Sequence, residues 1–290
     1  MTWPDFWKIL LDALKEGAGI TLLVISIMSC IELVNVLSGG QWLGKHLKGK
    51  GLGQTAFGAA LGAIPGCFGG FTAVSLYSRR LLSLGAVTAA FCASSGDAAF
   101  VLLAQKPKQA LTLFAILIPV AILVGWITDL IFKHNPQHLT ADKLKMHHED
   151  EDEGNHGRNW KHFLREHVWE HVIKKHALGI FCWCFGALLA LGIVEHFVDI
   201  GSFTRSNTAL MMLIAVLIGI IPDSGPQIVI ATMFSQGLIP FSILLANSIV
   251  QDGHTSLPLL AEEPASFVKA KLMNTVAALA CGFAWQLAFA

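Results

Sequence analysis

Ile221-Pro222-Asp223-Ser224-Gly225-Pro226-Gln227 lies inside an apolar run, and Ile64-Pro65-Gly66-Cys67-Phe68-Gly69-Gly70 stands 157 residues before it. The offset holds without a gap to Pro107 and Pro264. Along it fall Ser78/Ser235, Leu81/Leu238, Ala89/Ala246, Gly96/Gly253 and Leu102-Leu103-Ala104/Leu259-Leu260-Ala261, making 10 identities in 44 positions. Apolar composition inflates chance matches, but paired Pro and Gly at fixed spacing is not a composition effect. A duplicated half with breakers inside apolar segments is the sequence mark of a membrane transporter.

The chain has 290 residues, 54% hydrophobic and 14% charged, where a soluble domain carries about 25% charged residues. Mean hydropathy is +0.59. The apolar runs Gly17–Leu37, Leu52–Ile64, Leu81–Leu103, Ala110–Phe132, Ala177–Ile193, Thr208–Ile221, Ile239–Val250 and Phe267–Ala290 include several near the ~20 residues that span hydrocarbon as a helix. The reading is an all-α polytopic membrane protein. Formal net charge is zero, so nothing draws it to nucleic acid. Met1-Thr2-Trp3-Pro4-Asp5 lacks the basic region and cleavage site of a signal peptide. All six cysteines lie in apolar segments, and most are expected as small buried hydrophobes.

Each half opens with an amphipathic stretch suited to an interfacial helix, Phe6–Leu14 and Trp160–Trp169. Each first span carries a glutamate near its end, Glu32 or Glu195. The aligned block follows, and then a last apolar span. Leu52–Ser78 and Thr208–Ser235 can each be read as one broken span or as a re-entrant hairpin of two half-helices. Basic residues decide between these. With hairpins, 15 of the 20 Lys and Arg fall on one side (Lys45, Lys48, Lys50, Arg79, Arg80, eight from Lys133 to Lys175, Lys269, Lys271) and 5 on the other; straight crossings give 12 to 8. The positive-inside rule prefers hairpins. Each half then has three full spans plus a hairpin, an odd count, so the two repeats are inverted. The expected division is 1–133 for the first repeat, 134–159 for a cytoplasmic linker and 160–290 for the second repeat. The linker holds His147-His148-Glu149-Asp150-Glu151-Asp152-Glu153. It reads as a solvated segment or as a weak divalent-metal site.

Polar residues within hydrocarbon cost about 2.5–3.5 kcal/mol on insertion scales and suggest function by default. They fall at matched places. The breakers Pro65, Pro222 and Pro226 free backbone groups at the first, where Cys67, Asp223, Ser224 and Gln227 stand. At the second, Ser94-Ser95-Gly96-Asp97 aligns with Gln251-Asp252-Gly253-His254, and Asn247 precedes Gln251 by one turn. Packed face to face, the halves would bring these to one midplane site. Asp97, Asp223, Asp252 and His254 are expected as the main ligands, with Ser224, Gln227, Asn247 and Gln251 assisting. Cys67, Ser95, Glu32 and Glu195 are further candidates, and Gly96 and Gly253 loosen their helices. Carboxylates, a histidine and neutral oxygens suit a divalent cation of intermediate hardness such as Mn²⁺. With no Arg or Lys read inside a span, an anion is excluded. The competing structural reading is that Gly, Ser and Asn only mediate close helix packing.

At these residues the chain resembles the ten-span heavy-metal exporters, whose members are called arsenic efflux proteins or manganese transporters. The resemblance rests on Ile221–Gln227, on Ile239-Pro240-Phe241-Ser242-Ile243-Leu244-Leu245-Ala246-Asn247-Ser248, on Ile249–His254 and on Gly96–Ala104. It covers all but the linker. In that family a Gly-Cys or acidic-Ser pair follows the proline, here Asp223-Ser224, and a His or Gln follows the second proline, here Gln227. The expectation is a multi-pass protein of the bacterial inner membrane that exports manganese by alternating access and is not an enzyme. No phosphate-binding loop and no cofactor are expected; H⁺ or Na⁺ would drive export, and a homodimer is compatible with this reading. Arsenical efflux, in which Cys67 would matter more, an intramembrane enzyme using Asp223 and Asp252, and a passive channel are the alternatives.

Overall fold

The computed structural model describes residues 3–38, 51–66, 68–78, 81–132, 178–197 and 200–289. Every regular element among them is helical: α1 (Trp3–Ser38), α2 (Leu52–Gly62), α3 (Phe68–Ser78), α4 (Leu84–Ala93), α5 (Ala98–Gln105), α6 (Pro107–Ile131), α7 (Leu178–Phe197), α8 (Ile200–Ser206), α9 (Thr208–Ile220), α10 (Ser224–Ser235), α11 (Phe241–Val250), a 3₁₀ turn (Gly253–Ser256), α12 (Leu257–Glu262) and α13 (Pro264–Phe289). The linker 134–159 and the stretch Trp160–Trp169 lie outside the described residues, as do Arg79, Arg80 and Cys67.

Pro65 and Pro222 stop helices as their chemistry requires. Ile221, before Pro222, is extended at φ −67°, ψ 123°, because a following proline disfavours helical backbone. Gly58 of α2 packs on the Ala86 carbonyl and Gly62 on that of Ala90, so α2 and α4 run parallel. Gln54, at the start of α2, donates from Nε2 to the Leu81 carbonyl (3.5 Å) and accepts from the Ser83 amide (3.2 Å). The intervening α3 therefore carries the chain back to its starting level. The second half repeats this: Asn247 of α11 donates to the Ala215 carbonyl of α9 (2.8 Å), and Gly219 meets Asn247 and Val250. With 11 residues each, α2 and α3 are about 16 Å long, half the thickness of a ~30 Å hydrocarbon layer.

α4 and α5 make one traverse broken at Ser94–Asp97, and α6 returns beside them. Gly85 at the start of α4 meets Gly125 and Asp129 near the end of α6. α11, the 3₁₀ turn and α12 are likewise one broken traverse beside α13, with Ser242 bonded to Gln286 and Gly282 against Ala246. Pro107 and Pro264 occupy helix starts, where a missing N–H costs nothing.

All ten residues of α4 and nine of the ten in α11 are buried. Helices apolar all round belong at the centre of a bundle. The bundle's exterior is apolar too. Leu111, Leu123, Trp126 and Leu130 of α6 and Val268, Leu272, Val276 and Leu287 of α13 are exposed. Apolar surface of that extent marks a membrane-facing wall. Among the described residues, Leu84–Gln105, Pro107–Ile131 and Pro264–Phe289 are long and apolar enough to cross a membrane.

Three expectations need correction. The first half has no separate interfacial helix, because α1 runs 36 residues without interruption; after Pro4, in its first turn, no proline stops it. Pro226 is not a breaker, since it lies third in α10, where its N–H would have no partner in any case. Lys271 does not stand at the membrane surface. It is 5% exposed, on a face of α13 it shares with Ser266, Ala270, Asn274, Ala278 and Gly282.

Candidate functional site

The breaks of the two halves meet. Gln251 Nε2 donates to the Ser94 carbonyl at 2.7 Å, across a separation of 157 residues, the repeat offset itself. Gln227 Nε2 donates to the Ser95 carbonyl at 3.1 Å. A carbonyl can only accept, so both amides must present nitrogen to it, and each Oε1 is fixed on the other side. Gly96 and Gly253, matched in the repeat, have φ of 45° and 57°, a conformation that glycine adopts without steric cost. Each also makes room for the other half. A Cβ on Gly96 would lie 3.3 Å from Gln227 Oε1, 3.6 Å from Ser224 Oγ and 3.9 Å from Gln251 Oε1; one on Gly253 would lie 2.8 Å from Ser224 Oγ.

Four buried side-chain oxygens at this junction have no hydrogen-bond partner among the described residues: Ser94 Oγ, Ser95 Oγ, Gln227 Oε1 and Gln251 Oε1. Asn247 Oδ1 is a fifth, further along α11, where the amide nitrogen ties α11 to α9. A buried acceptor without a donor costs about 1–3 kcal/mol. Such a concentration of them points to a place built for an occupant.

Asp223 and His254 form the accessible rim. Asp223 caps α10 by accepting from the Gly225 amide (2.8 Å). Its Oδ1 is 3.7 Å from His254 Nε2, with the two side chains 41% and 47% exposed. Ser224 Oγ lies 3.4 Å from His254 Nδ1. Asp97 is buried at the start of α5. Among the described residues no three His, Cys, Asp or Glu side chains come together within reach of one metal ion. Glu32 and Glu195 belong to α1 and α7, but their side chains lie outside the described part, as does Cys67.

Asp252 is spoken for. Its Oδ2 is 2.8 Å from Lys271 Nζ, with side-chain exposures of 0% and 6%. Its Oδ1 accepts from Ser256 Oγ (2.9 Å). Lys271 Nζ also donates to the carbonyls of Val250 (3.0 Å) and Gly219 (3.3 Å), the C-terminal ends of α11 and α9. A cation there completes two helix ends as well as a carboxylate. The exclusion of a buried Lys from the spans therefore fails. The signal was present in the sequence: Ser266, Ala270, Asn274, Ala278 and Gly282 recur every fourth residue, and Lys271 stands on that small-residue face rather than among the outward leucines.

Helices broken at matched positions, buried polar atoms where they cross and an apolar exterior define a multi-pass membrane protein with a polar interior. A family model described as "Putative, 10TM heavy-metal exporter" matches residues 18–178 and 142–289. The chain belongs to this heavy-metal exporter family. Comparison with curated proteins and with solved structures gave no match.

Proposed function

We propose that the protein is a secondary-active transporter that exports a divalent metal cation, manganese, by alternating access between two inverted halves. The observation that carries this reading is the Gln251–Ser94 bond between equivalent positions of the two copies. It joins the breaks of the two copies at matched positions, which supports a substrate site between inverted repeats.

The packing supports the inversion. The α2–α3 hairpin opens at the end where Tyr77 and Ser78 meet Glu263 and Glu262, and where Lys269 lies over the Phe132 ring. The α9–α10 hairpin opens at the other end, where Ser242 meets Gln286. Lys269 stands at the first end, and the sequence count of Lys and Arg favours that end as the cytoplasmic one by the positive-inside rule. Asp223 and His254, with Ser224 beside them, are the first ligands to meet the metal. Gln227 and Gln251 present neutral oxygens deeper in, beyond this rim. Asp252 holds Lys271 and acts on the metal only if that pair opens.

A second reading is efflux of an arsenical or other small neutral solute. The sparse anionic character of the junction favours it, because only Asp223 and His254 pair at the rim and Asp252 is neutralised. Uptake of Mn²⁺ into inverted membrane vesicles separates the two. Manganese transport requires flux that falls at least tenfold in Asp223→Asn and in His254→Gln. Arsenite flux without Mn²⁺ flux would establish the second reading.

A further inference from the structure

The orphaned oxygens have a chemistry of their own. In the second copy the break already holds a cation, the Lys271 ammonium, chelated by Asp252 Oδ2 and two helix-end carbonyls. At the matched positions of the first copy, Ser95 replaces Asp252 and Phe114 replaces Lys271. The matched position thus offers no ammonium. Instead Gln227 Oε1, Gln251 Oε1 and Ser224 Oγ converge on the space that Gly96 leaves open. Ser94 and Ser95, with unpartnered hydroxyls, directly precede that glycine. Gln227 is 4% exposed, Gln251 1%, Ser94 0% and Ser95 4%.

Both amide nitrogens are committed to carbonyls, so the two Oε1 atoms cannot satisfy each other. They require a donor or a cation. The set is uncharged and made wholly of oxygen. Hard oxygen ligands suit hard cations, and uncharged oxygens alone compensate a second positive charge poorly in a low-dielectric interior. A monovalent alkali ion fits that balance. Half-helix C-termini and unwound backbone are where transporters hold Na⁺, and α4 ends at Ser94 with ψ 129° in extended backbone.

We infer that Gln227, Gln251, Ser94 and Ser95 form a sodium site at the crossing of the two broken helices, separate from the rim of Asp223, Ser224 and His254. Na⁺ would bind where the first copy lacks a lysine, so that one copy carries a fixed cation and the other an exchangeable one. In the transport reading this Na⁺ is the coupling ion. The binding itself does not depend on that reading.

Two measurements on the purified full-length protein in detergent test it. The first is saturation with ²²Na⁺ in choline chloride, where one Na⁺ per chain is expected. The second is the thermal midpoint in NaCl against KCl and choline chloride of equal ionic strength. A rise of about 3 °C is expected when Na⁺ stands at roughly ten times its Kd. Ser95→Ala and Ser94→Ala, which keep the backbone acceptors of Gln227 and Gln251, should each weaken ²²Na⁺ binding at least fivefold while folding normally. Asp223→Asn should leave it unchanged. A midpoint indifferent to Na⁺, with no saturable ²²Na⁺, would overturn the site and mean that water fills the space. Equal loss in Asp223→Asn would overturn its separateness from the rim. Sodium binding without Mn²⁺ flux would leave the site standing and defeat the manganese reading alone.

Discussion

Replacing Lys271 by Met removes the cation that neutralises Asp252 and completes two helix ends. The carboxylate has no exposure, and the ammonium makes three contacts at 2.8, 3.0 and 3.3 Å. Breaking a buried pair from one side costs about 3–5 kcal/mol, because the surviving charge is stranded. Asp252→Asn strands Lys271 instead and should cost a similar amount. At about 2 °C per kcal/mol for a chain of this size, each single variant should lower the thermal midpoint in detergent by roughly 8 °C. The double variant, with neither charge, should be less destabilised than either single one. Its shortfall from the sum of the singles measures the coupling of the pair. The assay is thermal unfolding of all four proteins in one detergent and buffer. Strict additivity, or singles within about 0.5 kcal/mol of the parent, would refute the buried pair.

Gly62→Ala should destabilise by about 1–3 kcal/mol, because its Cβ would run into the Ala90 carbonyl of α4. Gly53→Ala, with nothing within 4 Å, should be neutral in the same thermal assay. Asp129→Asn should cost about 1–2 kcal/mol. It weakens a carboxylate that accepts from Ser83 Oγ (2.6 Å) and the Gly85 amide (2.7 Å) at the start of α4. Tyr77→Phe removes the hydroxyl that reaches Glu263 (2.8 Å) and Ser266 (2.9 Å) across the halves. A loss of about 1 kcal/mol is expected, read as a lower thermal midpoint.

The places where the helices break were legible because they are local. Pro65 and Pro222 forbid continuation whatever surrounds them, and Gly96 and Gly253 sit where the backbone turns to positive φ. The meeting of the breaks followed the repeat, since Ser94 and Gln251 hold matched positions and touch each other. The fate of Asp252 was not legible in the same way. Its partner, Lys271, lies on α13, two positions from Lys269 at that helix's membrane-surface end. Only the helix phase separates them: Lys269 reaches the Phe132 ring, whereas Lys271 turns inward. Ligand sets written from composition gather every carboxylate into one site. Packing instead gave Asp223 to the rim, Asp252 to a lysine and Asp97 to the start of α5.

The central claim is that the two hairpins open toward opposite faces of the membrane while their tips meet. Cysteines introduced singly at Gly53 and at Gln236, in a background with the six native cysteines replaced, report on the two openings. An impermeant thiol reagent applied to intact cells should label Gln236→Cys and spare Gly53→Cys, with the pattern reversed in inverted vesicles. Labelling of both from one side would contradict the inverted architecture and the transport reading built on it.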